Sequence, residues 1–183
     1  MSLDQALAVR ADQHERVKEA AVKVQDVMTS PAHSCKPGET LVGAARAMWD
    51  YSCGALPVLD SEGMPAGMLT DRDVCMALAR KNRFPGDIRV REVMSPHPFV
   101  CHPADEAESA LATMAKRQVR RLPVVDTQGR LVGIVSVNDV LARAGSSHEN
   151  PHGADEVHRL VVETLLELCA PPPAVLRTPG ISA

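Results

Sequence analysis

The sequence predicts an α+β fold in which two copies of one βαββα-type unit pair about a pseudo-two-fold axis, with helices on either side. First, the segment that begins at Val27 recurs from Val93, with a constant offset of 66 residues and no gap. Second, each copy combines a helix that has one apolar face with short apolar strands. Third, a unit of about 60 residues is only marginally stable alone, so each copy needs the other.

The two copies also agree at their turn residues. Three motifs recur in register: Leu56-Pro57-Val58 with Leu122-Pro123-Val124, Asp60-x-x-Gly63 with Asp126-x-x-Gly129, and Gly67-x-x-Thr70-x-x-Asp73 with Gly133-x-x-Ser136-x-x-Asp139. Strand, turn and helix-start residues therefore repeat together, which indicates a duplicated supersecondary unit.

Each copy opens with Val-Met and an extended stretch that contains proline, and an amphipathic helix follows. Its apolar residues stand at helical spacing: Leu41, Ala44, Ala45 and Met48 in copy one, and Ala107, Ala110, Leu111 and Met114 in copy two. Thr40 is the predicted cap of the first helix, and Asp105-x-x-Glu108 resembles a capping box at the second. A hairpin follows, with strands at 55–59 and 66–69 or at 122–125 and 131–135, and then a helix near 71–80 or 137–143.

These elements predict five segments: an N-terminal helix at 1–23, copy one at 24–84, copy two at 85–145, a linker and C-terminal helix at 146–170, and a disordered tail at 171–183. The apolar pattern of the N-terminal helix runs from Leu3 to Val24. Residues 145–153 are polar, residues 155–169 are amphipathic, and three prolines from Pro171 end the last helix.

Composition excludes several classes of protein. Hydrophobic residues make up 45% of the chain and aromatic residues 2%, so the core is built from Val, Leu, Ala and Met. A formal net charge of -3 gives no drive toward nucleic acid or an anionic membrane. No apolar run approaches the ~18 residues of a spanning helix, and no signal peptide is visible, so a cytoplasmic location is expected.

Cysteine and histidine usage favours neither disulfides nor a metal. The five cysteines form no C-x-x-C pair, so buried, reduced thiols are expected at Cys35, Cys53, Cys75, Cys101 and Cys169. His148, His152 and His158 lack accompanying acidic or cysteine ligands, and no metal site is expected.

The repeated motifs resemble those of a CBS-domain pair, also called a Bateman module. The resemblance rests on Val-Met-Thr/Ser, Leu-Pro-Val-x-Asp and Gly-h-h-Thr/Ser-x-x-Asp (h is apolar), and it covers about residues 24–144 twice in register. It implies a regulatory module that binds AMP, ADP, ATP or S-adenosylmethionine in clefts between the repeats. It also implies a homodimer, since many such modules form flat discs.

The resemblance further implies the residues of two clefts. In the family, the aspartate that ends the last motif binds the ribose hydroxyls and the Thr/Ser lies near the phosphate, while the other repeat completes each cleft. The first cleft would combine Thr70 and Asp73 with Ser95, Phe99, Val119, Arg120 and Arg121. The second would combine Ser136 and Asp139 with Thr29, His33, Cys53 and Gly54.

Elementary chemistry allows two interpretations of the Thr/Ser-x-x-Asp motif. The free N–H groups and the dipole of a helix N-terminus favour an anion, and a carboxylate one turn further can accept two hydrogen bonds from a ribose diol. The same pattern also caps a helix, and is worth ~1 kcal/mol without any ligand. The sequence leaves both interpretations open for each motif taken singly.

Charge distinguishes the two copies. Before Leu-Pro-Val, copy two carries Lys116, Arg117, Arg120 and Arg121, where copy one has Asp50, Tyr51, Gly54 and Ala55. In related pairs, basic residues at the places of Arg120 and Arg121 reach phosphates, so the cleft of Thr70 and Asp73 is expected to prefer a phosphorylated ligand. The cleft of Asp139 is either empty or suited to an uncharged adenosyl group. The alternative for the arginines is a solvated patch, or pairing with acids across a dimer.

The sequence thus predicts a stand-alone sensor rather than an enzyme, because no motif gathers a nucleophile, a base and oxyanion donors. The expected partners are an adenosine nucleotide, a second copy of the chain and an unidentified regulated protein. No required cofactor, nucleic acid or membrane is expected. Two alternatives stay open: a structural or interaction protein with empty clefts, and a small enzyme.

Overall fold

The computed structural model describes residues 22–146 and 151–169, without the side chains of 144–146 and 151–158. Its elements, in chain order, are α1 (Leu41–Asp50), β1 (Ala55–Leu59), β2 (Pro65–Thr70), α2 (Asp71–Lys81), β3 (Ser95–Pro96), α3 (Ala107–Arg117), β4 (Arg121–Val125), β5 (Leu131–Ser136), α4 (Val137–Ser146) and α5 (Pro151–Cys169), with short 3-10 turns at Val24–Asp26, Pro85–Asp87 and Val90–Glu92. Matching sets of helices and strands in the two copies confirm the predicted α+β fold.

Helix starts follow local capping signals in part. Thr40 caps α1 as predicted, since its hydroxyl oxygen accepts the Gly43 N–H at 3.2 Å. The capping box predicted at Asp105 is wrong, because α3 begins at Ala107 with Glu106 as its N-cap and no side-chain cap bond. The Asp105 carboxylate instead accepts the N–H of His102, at 2.7 Å, in the turn before the helix.

Two antiparallel hairpins form the sheets, β1 with β2 and β4 with β5. In each turn one aspartate Oδ1 accepts two main-chain N–H groups, from Glu62 and Met64 at Asp60 and from Gln128 and Arg130 at Asp126. The turns end at Gly63 and Gly129, whose φ angles of 84° and 80° suit glycine. The predicted Asp-x-x-Gly turns are therefore confirmed.

The opening segment of each copy pairs with the hairpin of the other copy. β3, from copy two, runs antiparallel to β2 with Ser95 opposite Met68. Thr29, from copy one, donates its N–H to the Ile134 carbonyl at 2.9 Å and accepts the Ile134 N–H at 3.0 Å. The chain then returns to its own copy, where Cys35 and Cys101 form parallel bridges with Val58 and Val124. Each structural half therefore contains residues from both predicted domains, and the boundary between 84 and 85 stays a prediction.

The two cores follow the same exchange. In the first half, which contains α1, β1, β2 and α2, Ile88 and Val90 from copy two pack among Leu41, Leu56 and Leu69. In the second half, which contains α3, β4, β5 and α4, Val24 from copy one packs against Leu111, Met114 and Leu122. Val24, Ile88 and Val90 are fully buried, so apolar burial holds the exchanged segments in place.

The flanking segments differ from the expectations in two places. α5 packs on α3 and α4 and begins at Pro151, so it includes part of the predicted linker 145–153. The prediction that a helix runs as far as Val24 is wrong, since Lys23 is extended and Val24 begins a 3-10 turn. Residues 1–21 and the predicted tail 171–183 lie outside the described residues. Among the helices of the described part, none is both long and apolar enough to span a bilayer.

Two glycines bring each exchanged segment close to its hairpin. A Cβ built at Gly67 would lie 2.7 Å from the Met94 sulfur and 2.9 Å from the Ser95 carbonyl oxygen. A Cβ at Gly133 would lie 2.7 Å from the Met28 sulfur and 3.0 Å from the Thr29 carbonyl oxygen. A methionine can rotate away, but a carbonyl fixed in strand pairing has little room to move. Glycine is therefore required at both positions by the neighbouring backbone.

We expect Gly67→Ala and Gly133→Ala each to lower the free energy of unfolding by about 1–3 kcal/mol, because the added methyl overpacks the crossing. Urea titration followed by circular dichroism measures the change. Gly38→Ala is the matched control, since a Cβ there has no atom within 4 Å. Equal stability of all three variants would show that the crossing tolerates a side chain.

The expected burial of the cysteines is confirmed for Cys35 and Cys101 and is wrong for Cys75 and Cys169, which are exposed because they lie on the outer sides of α2 and α5. Burial raises the pKa of Cys35 and of Cys101 to about 12, and Glu39 and Asp105 respectively add to the shift. Both thiols are therefore protonated near pH 8. They are unreactive there because only the thiolate is the nucleophile. We expect iodoacetamide to alkylate the exposed Cys75 and Cys169 in the native protein but not these two, as read by peptide mass spectrometry. The control is urea-unfolded protein, where all five react. Native labelling of Cys35 or Cys101 at the rate of Cys169 would contradict the prediction.

Candidate functional site

Thr70 and Asp73 form a closed hydrogen-bonded pair at the start of α2. The Thr70 N–H and hydroxyl both donate to Asp73 Oδ2, at 2.9 and 2.6 Å, and the Asp73 N–H donates to the Thr70 hydroxyl oxygen at 3.2 Å. Ser136 and Asp139 repeat the pair beside α4, with distances of 2.8, 2.6 and 3.3 Å. The capping interpretation of the motif is therefore confirmed at both sites.

Capping leaves half of each carboxylate available. Every one of these bonds to a carboxylate ends on Oδ2, so Oδ1 of Asp73 and of Asp139 accepts no hydrogen bond from a described residue. Both aspartates are partly exposed. An ionised carboxylate has about four lone-pair sites. Helix capping and contact with a ligand hydroxyl are therefore compatible at the same residue.

The strand exchange brings predicted partners to each cap. Ser95 lies opposite Met68, which precedes Thr70 by two residues, and Thr29 lies opposite Ile134, which precedes Ser136 by two. Ser95 and Thr29 are both exposed. Each capped helix start therefore has, on the neighbouring strand, the hydroxyl residue that was expected from the other copy.

Arg121 extends from the second half to the first. A Cβ built at Gly54 would lie 3.8 Å from Arg121 Nη2 and 3.1 Å from Asp71 Oδ2. Asp71 is the first residue of α2, directly after Thr70. Arg121 forms no ion pair with any described residue. The Arg121 guanidinium therefore lies near Gly54 and Asp71, and its place in the cleft of Thr70 and Asp73 stays a prediction. Asp71 is a neighbour that the sequence analysis did not include.

Gly54 and Arg120 occupy equivalent places in the two copies. The Gly54 carbonyl accepts the Asp71 N–H at 3.2 Å, and the Arg120 carbonyl accepts the Val137 N–H at 3.2 Å. Gly54 was expected beside Ser136 and Asp139; its carbonyl bonds to Asp71 of its own copy, and its place in the second cleft stays a prediction. Likewise the main chain of Arg120 lies at its own copy's helix start, and its side chain is exposed.

His33 and Phe99, at equivalent repeat positions, each form a planar contact. The His33 ring stacks on Tyr51 with centroids 3.5 Å apart and an interplanar angle of 5°. The guanidinium carbon of Arg117 lies 4.4 Å from the centre of the Phe99 ring. Tyr51 and Arg117 are equivalent to each other and were not expected at the site. Comparison of the two copies could have identified both contacts, because His33 and Tyr51 are separated by the same 18 positions as Phe99 and Arg117.

The remaining expected residues pack inward. Cys53 and Val119 are also equivalent, and each is partly buried against the core of its own half. Their N–H groups bond to the Met48 and Met114 carbonyls, at 2.9 and 3.0 Å. These contacts are structural, and a role in the clefts stays a prediction.

A cavity of about 320 Å³ lies beside the first cap. It is lined by Asp73, Met76, Ala77, Arg80, Lys81, Glu92 and Val93. Asp73 is its one lining residue that the sequence analysis proposed for a cleft. The described residues contain no cluster of three or more His, Cys, Asp or Glu side chains that could hold a metal ion.

Comparison with known proteins gives a family for this arrangement. The family model of the CBS domain matches residues 24–80 and again residues 90–145. The CBS domain-containing protein YhcV of Bacillus subtilis is 39% identical over 140 residues, which are 70% of this chain and 98% of that protein.

Two similar solved structures contain adenosine compounds. The CBS domain pair of protein MJ0100, in complex with 5′-methylthioadenosine and S-adenosyl-L-methionine, has a TM-score of 0.63 and 25% identity, over 68% of this chain and 97% of that one. CBSX2 in complex with AMP has a TM-score of 0.57 and 28% identity, over 67% and 95% of the two chains.

Proposed function

Because this chain belongs to the CBS-domain family and carries the domain in tandem, we propose that it is a regulatory module that binds an adenosine nucleotide or S-adenosylmethionine in clefts between its halves. One observation carries the proposal: each capped aspartate has an Oδ1 that accepts no hydrogen bond from a described residue, beside a helix N-terminus and next to a segment from the other copy. The ligands of MJ0100 and CBSX2 support an adenosine compound as the class.

In the first cleft, Thr70 and Asp73 bind the ribose and phosphate side of the ligand, with Ser95 on the adjacent strand. Arg121 supplies the charge for a phosphate, because it lies at the start of α2 and forms no ion pair with a described residue. Arg120 and Phe99 complete this cleft in the proposal. A guanidinium binds phosphate through two parallel N–H groups, so a nucleotide should be preferred here.

In the second cleft, Ser136 and Asp139 take the same roles with Thr29 and His33. Ala55 stands at the position equivalent to Arg121, and Val137 stands at that equivalent to Asp71. The site therefore lacks both charges of the first cleft. An uncharged adenosyl group, or no ligand, suits this cleft better than a nucleotide.

The module signals without catalysis in this proposal. Ligand binding shifts the conformation or the assembly of a homodimer by favouring one state over another. The acidic residues of both motifs serve as caps, and the two fully protonated thiols are poor nucleophiles. Saturable ATP binding without ATP turnover supports a sensor over a small enzyme. No heat and no thermal shift with AMP, ADP, ATP or S-adenosylmethionine would favour an interaction protein with empty clefts.

We expect Arg121→Ala to weaken AMP and ATP binding about tenfold or more, equivalent to about 1.4 kcal/mol, because a charge-assisted phosphate contact is lost. Isothermal titration calorimetry measures the affinity. Arg130→Ala is the matched control, since it removes the same charge from a hairpin turn where Arg130 pairs with Asp126 at 3.0 Å. The double variant Arg120→Ala, Arg121→Ala should bind more weakly still, and wild-type affinity there would refute the phosphate role.

We expect Asp73→Ala to abolish AMP binding in the first cleft, and Asp139→Ala to leave AMP binding there intact and to abolish any S-adenosylmethionine binding in the second. Each should lower stability by only about 1 kcal/mol, the value of a lost cap. Asp73→Asn and Asp139→Asn separate the two roles, because an amide oxygen can still cap the helix but the amide no longer offers a second acceptor. Calorimetry gives the binding stoichiometry, and urea titration gives the stability. Unchanged stoichiometry in both alanine variants would remove these aspartates from the site.

A further inference from the structure

We propose that Glu92 is a positioning residue of the first cleft, because its carboxylate ties the end of α2 to the segment that carries Ser95 and so fixes the two walls of the cleft relative to each other. We call the side chains of Lys81, Arg83 and Glu92 the clasp. The cleft itself rests on the proposed function, whereas the tie is measured without any nucleotide, so each can fail separately.

The clasp gathers its donors on one carboxylate. The Arg83 guanidinium donates to Glu92 Oε2 at 2.8 Å, and the Lys81 ammonium lies 3.6 Å from the same oxygen. The Arg89 N–H donates to Oε1 at 2.8 Å. The Arg89 N–H and the Arg83 guanidinium lower the pKa of Glu92, so this carboxylate is ionised at neutral pH. Glu92 is therefore held through both of its oxygens, one by its own turn and the other by the end of α2 and the residues that follow it.

The cavity beside the first cap extends from the cap to the clasp. One wall of the cavity is α2, which contributes Asp73 near its start and Lys81 at its end, about 12 Å further along the helix axis. Glu92 and Val93 line the other wall. Ser95 follows two residues after Val93, in β3. The two walls thus carry the two proposed ligand residues, and the clasp joins the walls at the opposite end from the cap.

The chain between Glu92 and Ser95 is short and hydrogen-bonded. Glu92 ends the 3-10 turn that begins at Val90. The N–H groups of Val93 and Met94 both donate to the Val90 carbonyl, at 3.0 and 2.9 Å. A shift of Glu92 relative to α2 would therefore be passed on to Ser95 rather than absorbed by a flexible connection.

The second cleft lacks the cations of the clasp. The 66-residue offset places Ser147 at the position of Lys81 and Glu149 at the position of Arg83. Both positions lie outside the described residues, and the comparison is one of side-chain type. One cation is replaced by a neutral residue and the other by an acid, so a carboxylate could not be tied there in the same way.

The turn itself is common to both copies. Asp26 stands at the position of Glu92 and accepts the N–H of Lys23 at 3.2 Å, which repeats the bond between Glu92 and Arg89. Asp26 forms no ion pair with any described residue. What distinguishes the first cleft is therefore the link from the turn to the end of α2, and not the turn.

The exposure of the clasp separates a positioning role from a structural one. The side chains of Arg83 and Glu92 are 45% and 29% exposed. Ion pairs that are open to solvent contribute little to the free energy of unfolding. We therefore expect the clasp to restrain the segment around Ser95 while leaving the global stability almost unchanged.

Hydrogen exchange followed by mass spectrometry tests the tie in the absence of nucleotide. Glu92→Gln keeps an amide oxygen for the Arg89 N–H but loses both ion pairs. We expect residues 93–98 to exchange about threefold to fivefold faster in this variant, a factor in the range of a partly exposed ion pair. The equivalent residues 27–32 should exchange as in the wild type, because their turn has no clasp.

Glu163→Gln is the matched control, since it removes an ion pair with Arg159 on α5, at 3.8 Å, and should leave residues 93–98 unchanged. The double variant Arg83→Gln, Glu92→Gln should exchange no faster than the faster single variant, because the two changes remove the same bond. Wild-type exchange in Glu92→Gln, or additive effects in the double variant, would overturn the proposal. Faster exchange along the whole chain with a lower urea midpoint would make Glu92 a structural residue and overturn it as well.

Calorimetry with AMP measures what the tie contributes to binding. We expect Glu92→Gln to weaken AMP binding about threefold to fivefold, because the ligand must then order the segment around Ser95 itself. Unchanged AMP affinity together with faster exchange would refute the positioning role. A wild-type chain that bound no AMP would refute the proposed function, and the exchange measurement would still decide whether the clasp restrains the segment.

Discussion

The exchange of opening segments between the two copies is the constraint on which the rest of the structure depends. Thr29 pairs with Ile134 and Ser95 lies opposite Met68, so neither sheet is complete with residues of one copy alone. Val24 and Val90 carry the same exchange into the two cores. Folding of one half therefore requires the chain of the other, and the hydroxyl residues of each opening segment arrive beside the other copy's helix start as a geometric consequence.

Much of this fold is predictable because its signals are local. Apolar spacing gave α1 and α3, and the Asp-x-x-Gly turns gave both hairpins, since one aspartate oxygen collects two N–H groups in each turn. The strand exchange could not be predicted from local signals, because the Val-Met sequence does not indicate which of the two hairpins it pairs with. The start of α3 was misplaced because Asp105, a residue type that favours an N-cap, instead accepts the His102 N–H, while the Ala107 N–H donates to the Val22 carbonyl at 2.8 Å. The predicted helix end at Val24 was wrong for a similar reason. Val24 is buried in the core of the second half and begins a 3-10 turn there, although its spacing suits a helix.

The candidate site was predictable in its chemistry and less so in its neighbours. Repetition identified Thr70, Asp73, Ser136 and Asp139, and the structure shows why capping and binding need not compete: the cap uses one carboxylate oxygen. Asp71 was missed beside Arg121 because the two residues lie 50 positions apart. The carbonyl of Gly54 accepts the N–H of Asp71 in its own copy, a bond that the spacing of the motifs did not predict. The spacing of the motifs identifies candidate binding residues, while the backbone hydrogen bonds of the folded chain determine which of them lie in contact.

Differences between the two copies can be compared position by position, because equivalent positions make the same backbone bonds. Gly54 and Arg120, for example, each accept an N–H from the first residue of the helix that follows their hairpin. Ala55 against Arg121 changes the charge at a helix start, and Tyr51 against Arg117 replaces a stacked ring by a cation over a ring. Trp49 against Ala115 changes a position under a helix into an exposed aromatic surface. The first two differences bear on ligand choice. α1 carries Trp49 on one side and leads through Tyr51 to Gly54, beside Arg121 and the start of α2. A ligand phosphate held by Arg121 would therefore lie close to both the C-terminal end of α1 and the start of α2.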